Sequence, residues 1–173
     1  MENSPENLES IQLLLLDVDG VLTTGQVVYT DSGEEIKSFS VKDGLGLRMA
    51  MDSGIQVGIV TGRGSGALLH RCRNLGIDLV FDNVRDKAAK LPEIIDQTGI
   101  AAEQMAFVGD DLPDIPLMHR VGLAVAVADA VPEVIAAADM VTAAKGGCGA
   151  VRETCEKLLK ARGNWESILE HFS

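Results

Sequence analysis

The chain has 173 residues, a length suited to one domain that buries roughly 70% of the surface its unfolded chain exposes. With 46% hydrophobic and 24% charged residues it has the composition of a folded globular protein. Acidic residues outnumber basic ones 26 to 15, a formal charge of −11. That excludes general nucleic-acid binding, which needs clustered Lys and Arg, but leaves room for a small anion in a local cationic pocket. Cys72, Cys148 and Cys155 form no CxxC pair and read as free thiols of a reducing compartment. The start, MENSPENLES, lacks a basic region followed by an apolar stretch, so no secretory leader is expected. The longest apolar run, Val121 to Ala128, falls far short of the roughly 18 residues of a membrane span. A cytoplasmic protein with no membrane partner is the expectation.

In chain order, IQLLLL (11–16) is a continuous apolar run, as in a strand covered on both faces. Next, QVVYTDSGEEIKSFS (26–40) holds two β-rich runs around Asp31-Ser32-Gly33, a hairpin signal. A plain α/β chain would pass straight into a helix there, so the hairpin reads as an insertion that covers a site or joins copies of the chain. Helical patterns follow at 43–53, 65–75, 86–98, 112–119, 131–138 and 149–161, separated by strand-like runs at 56–60, 78–81, 104–108 and 122–127. Strand and helix in alternation, with buried strand runs, predict a Rossmann-like three-layer α/β sandwich with a central parallel sheet. The expected organisation is one domain over 1–173 with a tail at about 162–173.

Ligands of such folds bind at the carboxyl ends of the strands. Here those ends read Asp17-Val18-Asp19-Gly20, Thr61-Gly62-Arg63, Asp82-Asn83 and Gly109-Asp110-Asp111, with Lys87 opening the helix after the third. Asp17 and Asp19, two apart on extended backbone, face the same side. Adjacent carboxylates repel, and a hard cation relieves them; Mg²⁺ takes one or two carboxylates plus water and phosphate oxygens, with Asp110 the natural second ligand. Two rival readings fit less well. Gly62–Ala67 follows the G-x-G-x-x-A dinucleotide fingerprint, but on the second strand, and it leaves both acidic clusters without a purpose. In a phospho-acceptor receiver domain the acidic pair precedes the acceptor Asp, whereas here it comes last.

The order DxDGxLT, TGR, K, GDDxxD resembles the haloacid dehalogenase superfamily of phosphohydrolases over residues 11–145. More narrowly, LLLLDVDGVLTTGQVVY, FSVKDGLGLRM, IVTGR, DKAAKL and VGDDLPDIPLM resemble the 3-deoxy-D-manno-octulosonate 8-phosphate (KDO 8-phosphate) phosphatase family, cytoplasmic Mg²⁺-dependent homotetramers of lipopolysaccharide biosynthesis. The resemblance implies a phosphorylated keto sugar acid as substrate. It makes Asp17 the nucleophile and Asp19 the general acid and base, Asp19 also lending a backbone carbonyl to the metal. Thr61 with the Gly62 N–H would hold phosphate oxygens, Lys87 would balance charge, Asp110 would complete the metal site, and Asp111 would contact substrate or metal waters. It further implies substrate contacts from Ser40, Val41, Lys42, Asp43, Gly44, Arg48, Arg63 and Arg71. Asp114 reads as an orienting group more than a ligand.

Many sugar-phosphate enzymes of that superfamily carry a cap domain. Here the interval from Asp17 to Thr61 is already filled by the hairpin and a helix, and the one from Thr61 to Lys87 is shorter still, so no cap is expected. The hairpin and the segment after Lys145 are left to cover the site, with help from a neighbouring subunit; in the resembled family the hairpins meet at the tetramer centre. Two alternatives stay open: a 2-keto-3-deoxynonulosonate (KDN) 9-phosphate phosphatase on the same scaffold, and a non-catalytic tetramerisation module like that of some N-acylneuraminate cytidylyltransferases.

Overall fold

The computed structural model describes residues 8–173; the sequence reading of the extreme N-terminus lies largely outside them. In chain order the strands are β1 (Leu13–Leu16), β2 (Val28–Tyr29), β3 (Glu35–Ile36), β4 (Gln56–Val60), β5 (Leu79–Phe81), β6 (Met105–Gly109), β7 (Leu123–Ala126) and β8 (Met140–Val141). The helices are α1 (Val41–Asp52), α2 (Gly66–Leu75), α3 (Leu91–Thr98), α4 (Ile115–Met118), α5 (Pro132–Ala137), α6 (Ala150–Ala161) and α7 (Trp165–His171).

Four consecutive leucines make β1, and all four are buried. A strand with no polar alternation has no face to give to water and belongs inside a sheet covered on both sides. β1 accordingly lies in the interior of a six-stranded sheet of order β5-β4-β1-β6-β7-β8, and every neighbouring pair is parallel. The chain moves outward from β1 through β4 to β5, then returns to the other flank of β1 with β6. The gap between β1 and β6 is therefore the topological switch point, where the connections diverge and leave a crevice. Asp17 directly follows β1 and Asp110 directly follows β6, so the fold alone brings these two residues together.

The hairpin lies where the sequence places it. Val28 pairs with Ile36 and Tyr29 with Glu35 in a separate two-stranded sheet. Thr30 N–H donates to the Glu34 carbonyl at 2.9 Å and Gly33 sits at φ 84°, the three-residue turn that favours glycine at its last position. Among the described residues no cap domain intervenes between the strand-end motifs.

Two predicted helices are shorter than the sequence pattern suggests. The segment 86–98 splits into a 3₁₀ turn at Ala88–Lys90 and α3, and 112–119 into a 3₁₀ turn at Leu112–Asp114 and α4. Pro92 and Pro116 cause this: deep inside a helix each ring would clash with a carbonyl one turn back, whereas in the first turn neither loses a hydrogen bond. Two further elements have no counterpart in the sequence reading. β8 is only two residues long, too short for a pattern. α7 spaces Trp165, Ile168, Leu169 and Phe172 at helical intervals, and Trp165 packs between Arg152 and Lys160, its ring 5.8 and 5.0 Å from their cations.

Phe107, fully buried on β6, is the bulkiest of the fully enclosed core side chains. Phe107→Ala is expected to cost about 3–5 kcal/mol, because the sheet cannot collapse around the void; equilibrium urea unfolding measures it.

Candidate active site

After Leu16 the backbone keeps its strand register for one more residue, the Asp17 N–H donating to the Val108 carbonyl at 3.1 Å. It then turns sharply, the Val18 carbonyl accepting from the amides of Val21, Leu22 and Thr23. Gly20 at the turn has φ 86°, and a Cβ there would lie 2.0 Å from Asp110 Oδ2. Only glycine meets both demands, positive φ and the close approach of a carboxylate. The loop Lys145–Gly149 is pinned onto the same turn. The Gly147 N–H donates to the Val21 carbonyl at 2.8 Å, and a Cβ on Gly146 would fall 1.7 Å from the Gly20 carbonyl oxygen.

Three carboxylates converge at the switch point. Asp17, Asp110 and Asp114 each offer an oxygen, and all three oxygens lie within 4.8 Å of one another. Lys87, 4% exposed, enters from the segment after β5, its Nζ 2.9 Å from Asp17 Oδ1 and 2.5 Å from Asp114 Oδ1. The face of Phe107 lies 5.7 Å behind the ammonium. Asp114 is the hub of the cluster. Its Oδ1 accepts from Lys87, and its Oδ2 accepts from the amides of Asp110 at 2.8 Å and Asp111 at 3.2 Å. Both Asp114 oxygens are thus engaged, and through them it ties Lys87 to the turn after β6. Asp111 caps the next turn through the Leu112 amide at 2.8 Å.

One ammonium does not neutralise three acids. Burial pushes the Asp110 carboxyl up to about 8, and the charges of Asp17 and Asp114 add to the effect while Lys87 opposes it. Burial likewise raises Asp17, against the pull of Lys87. Burial lowers Lys87, but its two carboxylate partners outweigh it and the ammonium is held above its ordinary value. Asp110 Oδ1 is buried without a hydrogen-bond partner, a placement that costs free energy unless something absent from the protein atoms meets it. A hard divalent cation fits: its ligands are oxygens, two carboxylates of the cluster are free to serve, and its charge offsets the repulsion.

The cleft in front of the cluster, about 460 Å³, is lined by Asp17, Asp19, Thr61, Gly62, Arg63, Lys87, Asp110, Asp111 and Asp114, all sequence-predicted, together with Gly25, Val84, Arg85 and Pro113. Thr61 is buried, its hydroxyl accepting from the Arg63 amide at 3.4 Å. Asp19 stands nearer solvent, Arg63 Nε 3.7 Å from its Oδ2.

The remaining predicted substrate contacts lie elsewhere in the chain. Ser40 caps α1 through the Asp43 amide, 3.3 Å away, and Val41 and Lys42 are exposed. Asp43 is buried and accepts from the Arg152 amide at 2.8 Å, so it caps α6, whose own Gly149 has no side chain to offer. Arg71 donates to the Ser40 carbonyl at 3.0 Å over Gly44, and Arg48 to the Asn74 carbonyl at 2.8 Å. Gly44, Arg48 and Arg71 border a second groove between α1 and α2, and none of Ser40–Gly44, Arg48 or Arg71 lines the carboxylate cleft.

Conversely, the structure adds Lys37 and Glu35. Lys37 Nζ bonds Asp19 Oδ1 and lies 2.7 Å from Glu35 Oε1, and Glu35 Oε2 takes Arg63 Nη2 at 2.8 Å. A Glu and a Lys two apart on a strand share one face, the signal by which they could have been found.

Residues 77–152 match the model of the haloacid dehalogenase-like hydrolase family. The chain is 48% identical over 155 residues to the 3-deoxy-D-manno-octulosonate 8-phosphate phosphatase KdsC of Escherichia coli K12, covering 90% of this chain and 82% of that one. The phosphatase of that name from Moraxella catarrhalis, solved in complex with magnesium, phosphate and KDO, superposes with TM-score 0.95 at 38% identity over 97% of both chains. A cobalt-bound form of the Haemophilus influenzae phosphatase gives 0.89 at 45% identity over 91% of this chain and 92% of that one. The chain belongs to the haloacid dehalogenase-like hydrolases and, among them, to the KdsC family.

The raised Asp110 carboxyl makes stability depend on pH. A carboxyl that is more basic folded than unfolded binds a proton more tightly in the folded state, so stability falls as pH rises from 3.8 to about 8. In chelator, the melting temperature of the native chain is expected to drop across that window, and that of Asp110→Asn to drop less. A divalent cation added at pH 8 should restore the native value alone, as read by differential scanning fluorimetry.

Proposed function

We propose that this protein is a magnesium-dependent phosphomonoesterase that hydrolyses KDO 8-phosphate to KDO and inorganic phosphate through an aspartyl-phosphate. The observation that carries the reading is the meeting of Asp17 and Asp110 oxygens within reach of one ion, in a cleft that also holds Asp19, Thr61 and Lys87. The substrate follows from the KdsC family and from the KDO-bound relative.

Asp17 attacks phosphorus, turning one difficult displacement into two easier ones. Lys87 favours the ionised form of that carboxylate against the effect of its burial, and Asp114 fixes the direction of the ammonium. Thr61 Oγ1 and the Gly62 amide receive the phosphoryl oxygens. Asp19 gives its proton to the leaving alkoxide and then takes one from the water that opens the aspartyl-phosphate. Magnesium, held by Asp17, Asp110 and the backbone carbonyl of Asp19, supplies charge neutralisation at the phosphoryl oxygens. Arg63, at the cleft rim, is placed for the substrate carboxylate, and Asp111 for a substrate hydroxyl or a metal-bound water.

The reading extends to assembly. Val27, Val28, Tyr29 and Ile36 leave the hairpin apolar and exposed, between 44% and 59% each, and a lone two-stranded ribbon is marginal in water. Hairpins of several copies packed together would cover these side chains, giving the homotetramer. The Ser40–Gly44 segment, Arg48 and Arg71 would then meet substrate across a subunit boundary or after a rearrangement of α1. We take the chain as a single phosphatase domain working in the cytoplasm; among the described residues no helix is long and apolar enough to cross a membrane.

Wild-type protein is expected to hydrolyse KDO 8-phosphate with a higher kcat/KM than KDN 9-phosphate or simple sugar monophosphates, and to lose activity in chelator until Mg²⁺ is returned. Asp17→Asn should lower kcat by ~10⁴-fold or more while leaving the far-ultraviolet circular dichroism unchanged. Retained turnover in that variant would reject the nucleophile. For assembly, the paired substitution Val28→Glu with Ile36→Glu should give monomers by multi-angle light scattering, and a persisting tetramer would place the interface elsewhere.

A further inference from the structure

We propose that Lys37, the residue after β3 where the chain leaves the hairpin, is a positioning residue for the acid–base carboxylate Asp19, so that the hairpin is a working part of the active site besides any role in assembly. This deepens the reading above and rests on its assignment of Asp19.

Asp19 is held very differently from Asp17. Asp17 is wedged at a strand end against a buried lysine, its side chain 11% exposed. Asp19 sits two residues further along a glycine turn, 24% exposed, with no backbone donor on its carboxylate among the described contacts. Left alone, a half-open carboxylate on a turn samples several rotamers, and a general acid must lie within about 2.6–3.2 Å of the oxygen it protonates. Two cations restrict it: Lys37 on Oδ1 and, more loosely, Arg63 on Oδ2 at 3.7 Å.

Lys37 is the firmer holder. Its side chain is only 3% exposed, whereas that of Arg63 is 46% exposed. Burial lowers the Lys37 ammonium, but the Asp19 and Glu35 carboxylates outweigh this and keep it charged. An ammonium can only donate, so Lys37 can neither ligate a metal nor attack phosphorus. Glu35 fixes it from the other side, 2.7 Å away, and holds Arg63 with its second oxygen. Tyr29 Oη accepts from the same guanidinium at 3.4 Å. The hairpin thus reaches two cleft residues that lie outside the buried cluster, Asp19 and Arg63. A surface ion pair with no role in the reaction would not need its lysine sequestered in this way, nor its carboxylate aimed into a cleft.

The proposal predicts a loss that depends on the leaving group. An alkyl phosphate releases an alkoxide that must be protonated as it departs, and p-nitrophenyl phosphate releases a stable phenolate that needs no proton. Lys37→Met should lower kcat for KDO 8-phosphate by ~30-fold or more, within the range of one general acid, with KM changed by less than about threefold. In the first turnover, which reports formation of the aspartyl-phosphate alone, the loss in p-nitrophenolate release should be at least ~10-fold smaller than the loss in KDO release, and Lys37→Arg should recover part of the alkyl-ester rate. Light scattering and melting temperature report whether assembly and fold persist; should Lys37→Met fail to fold, Lys37→Gln keeps the polarity and tests the same point. Equal first-turnover losses with both esters, or no loss with KDO 8-phosphate, would overturn the proposal. If wild type spares KDO 8-phosphate but hydrolyses another alkyl phosphate, the substrate reading fails and the comparison is made on that ester. If it hydrolyses no alkyl phosphate, the role of Asp19 falls and this inference with it.

Discussion

Three carboxyl groups gathered around one ammonium, away from bulk water, repel each other more than the lysine can offset. The rest of the site follows from that imbalance. Lys87 is buried because it answers Asp17 and Asp114, and Asp114 is immobile because Lys87 and two backbone amides consume its oxygens. What remains uncompensated is concentrated on Asp110 and Asp17, the two ends of neighbouring strands. A divalent cation followed by a phosphate dianion is the chemistry that such a deficit invites, since each charge added balances the one before it.

The backbone is shaped to hold that deficit in place. Gly20 lets the turn after β1 pass under Asp110, and the loop at Gly146–Gly147 closes on the same turn from above. The contacts of Gly146 and Gly147 are backbone on backbone, so they do not loosen with a change of rotamer. The more distant supports are helix caps: Asp43 reaches across to α6 and Ser40 starts α1. The segment resembling a substrate loop is thereby tied, through α6, to the loop that walls the catalytic turn. This gives Asp43 a structural occupation in the isolated chain, whatever contact its neighbours make with substrate in an assembly.

A phosphatase without a cap has to shield its intermediate by other means. In this chain the hairpin reaches back over the cleft with charged residues, Glu35 and Lys37, and turns its apolar ones, Val28 and Ile36, outward. The same short ribbon therefore carries two kinds of information. Its polar face addresses its own active site, and its apolar face calls for company.

Much was legible before any coordinates. The apolar run of β1, the alternation of strands and helices and the motifs at the strand ends define a parallel sheet with its chemistry at one rim, because burial on two faces and the bending of a chain at glycine are local properties of sequence. The splitting of two helices at Pro92 and Pro116 was also local, and the helical spacing of Trp165, Ile168 and Phe172 was there to be read. Other facts depended on distance in space alone. Nothing in the spacing of residues says that Lys37 meets Asp19, that Asp43 caps a helix more than a hundred residues away, or that Arg48 and Arg71 border a groove apart from the carboxylates. A sequence determines which groups a strand end or a turn presents. Which of those groups then share one low-dielectric pocket is decided only when the sheet order brings β6 beside β1 and folds the hairpin back, since charges interact through separation and burial and not through position in the chain.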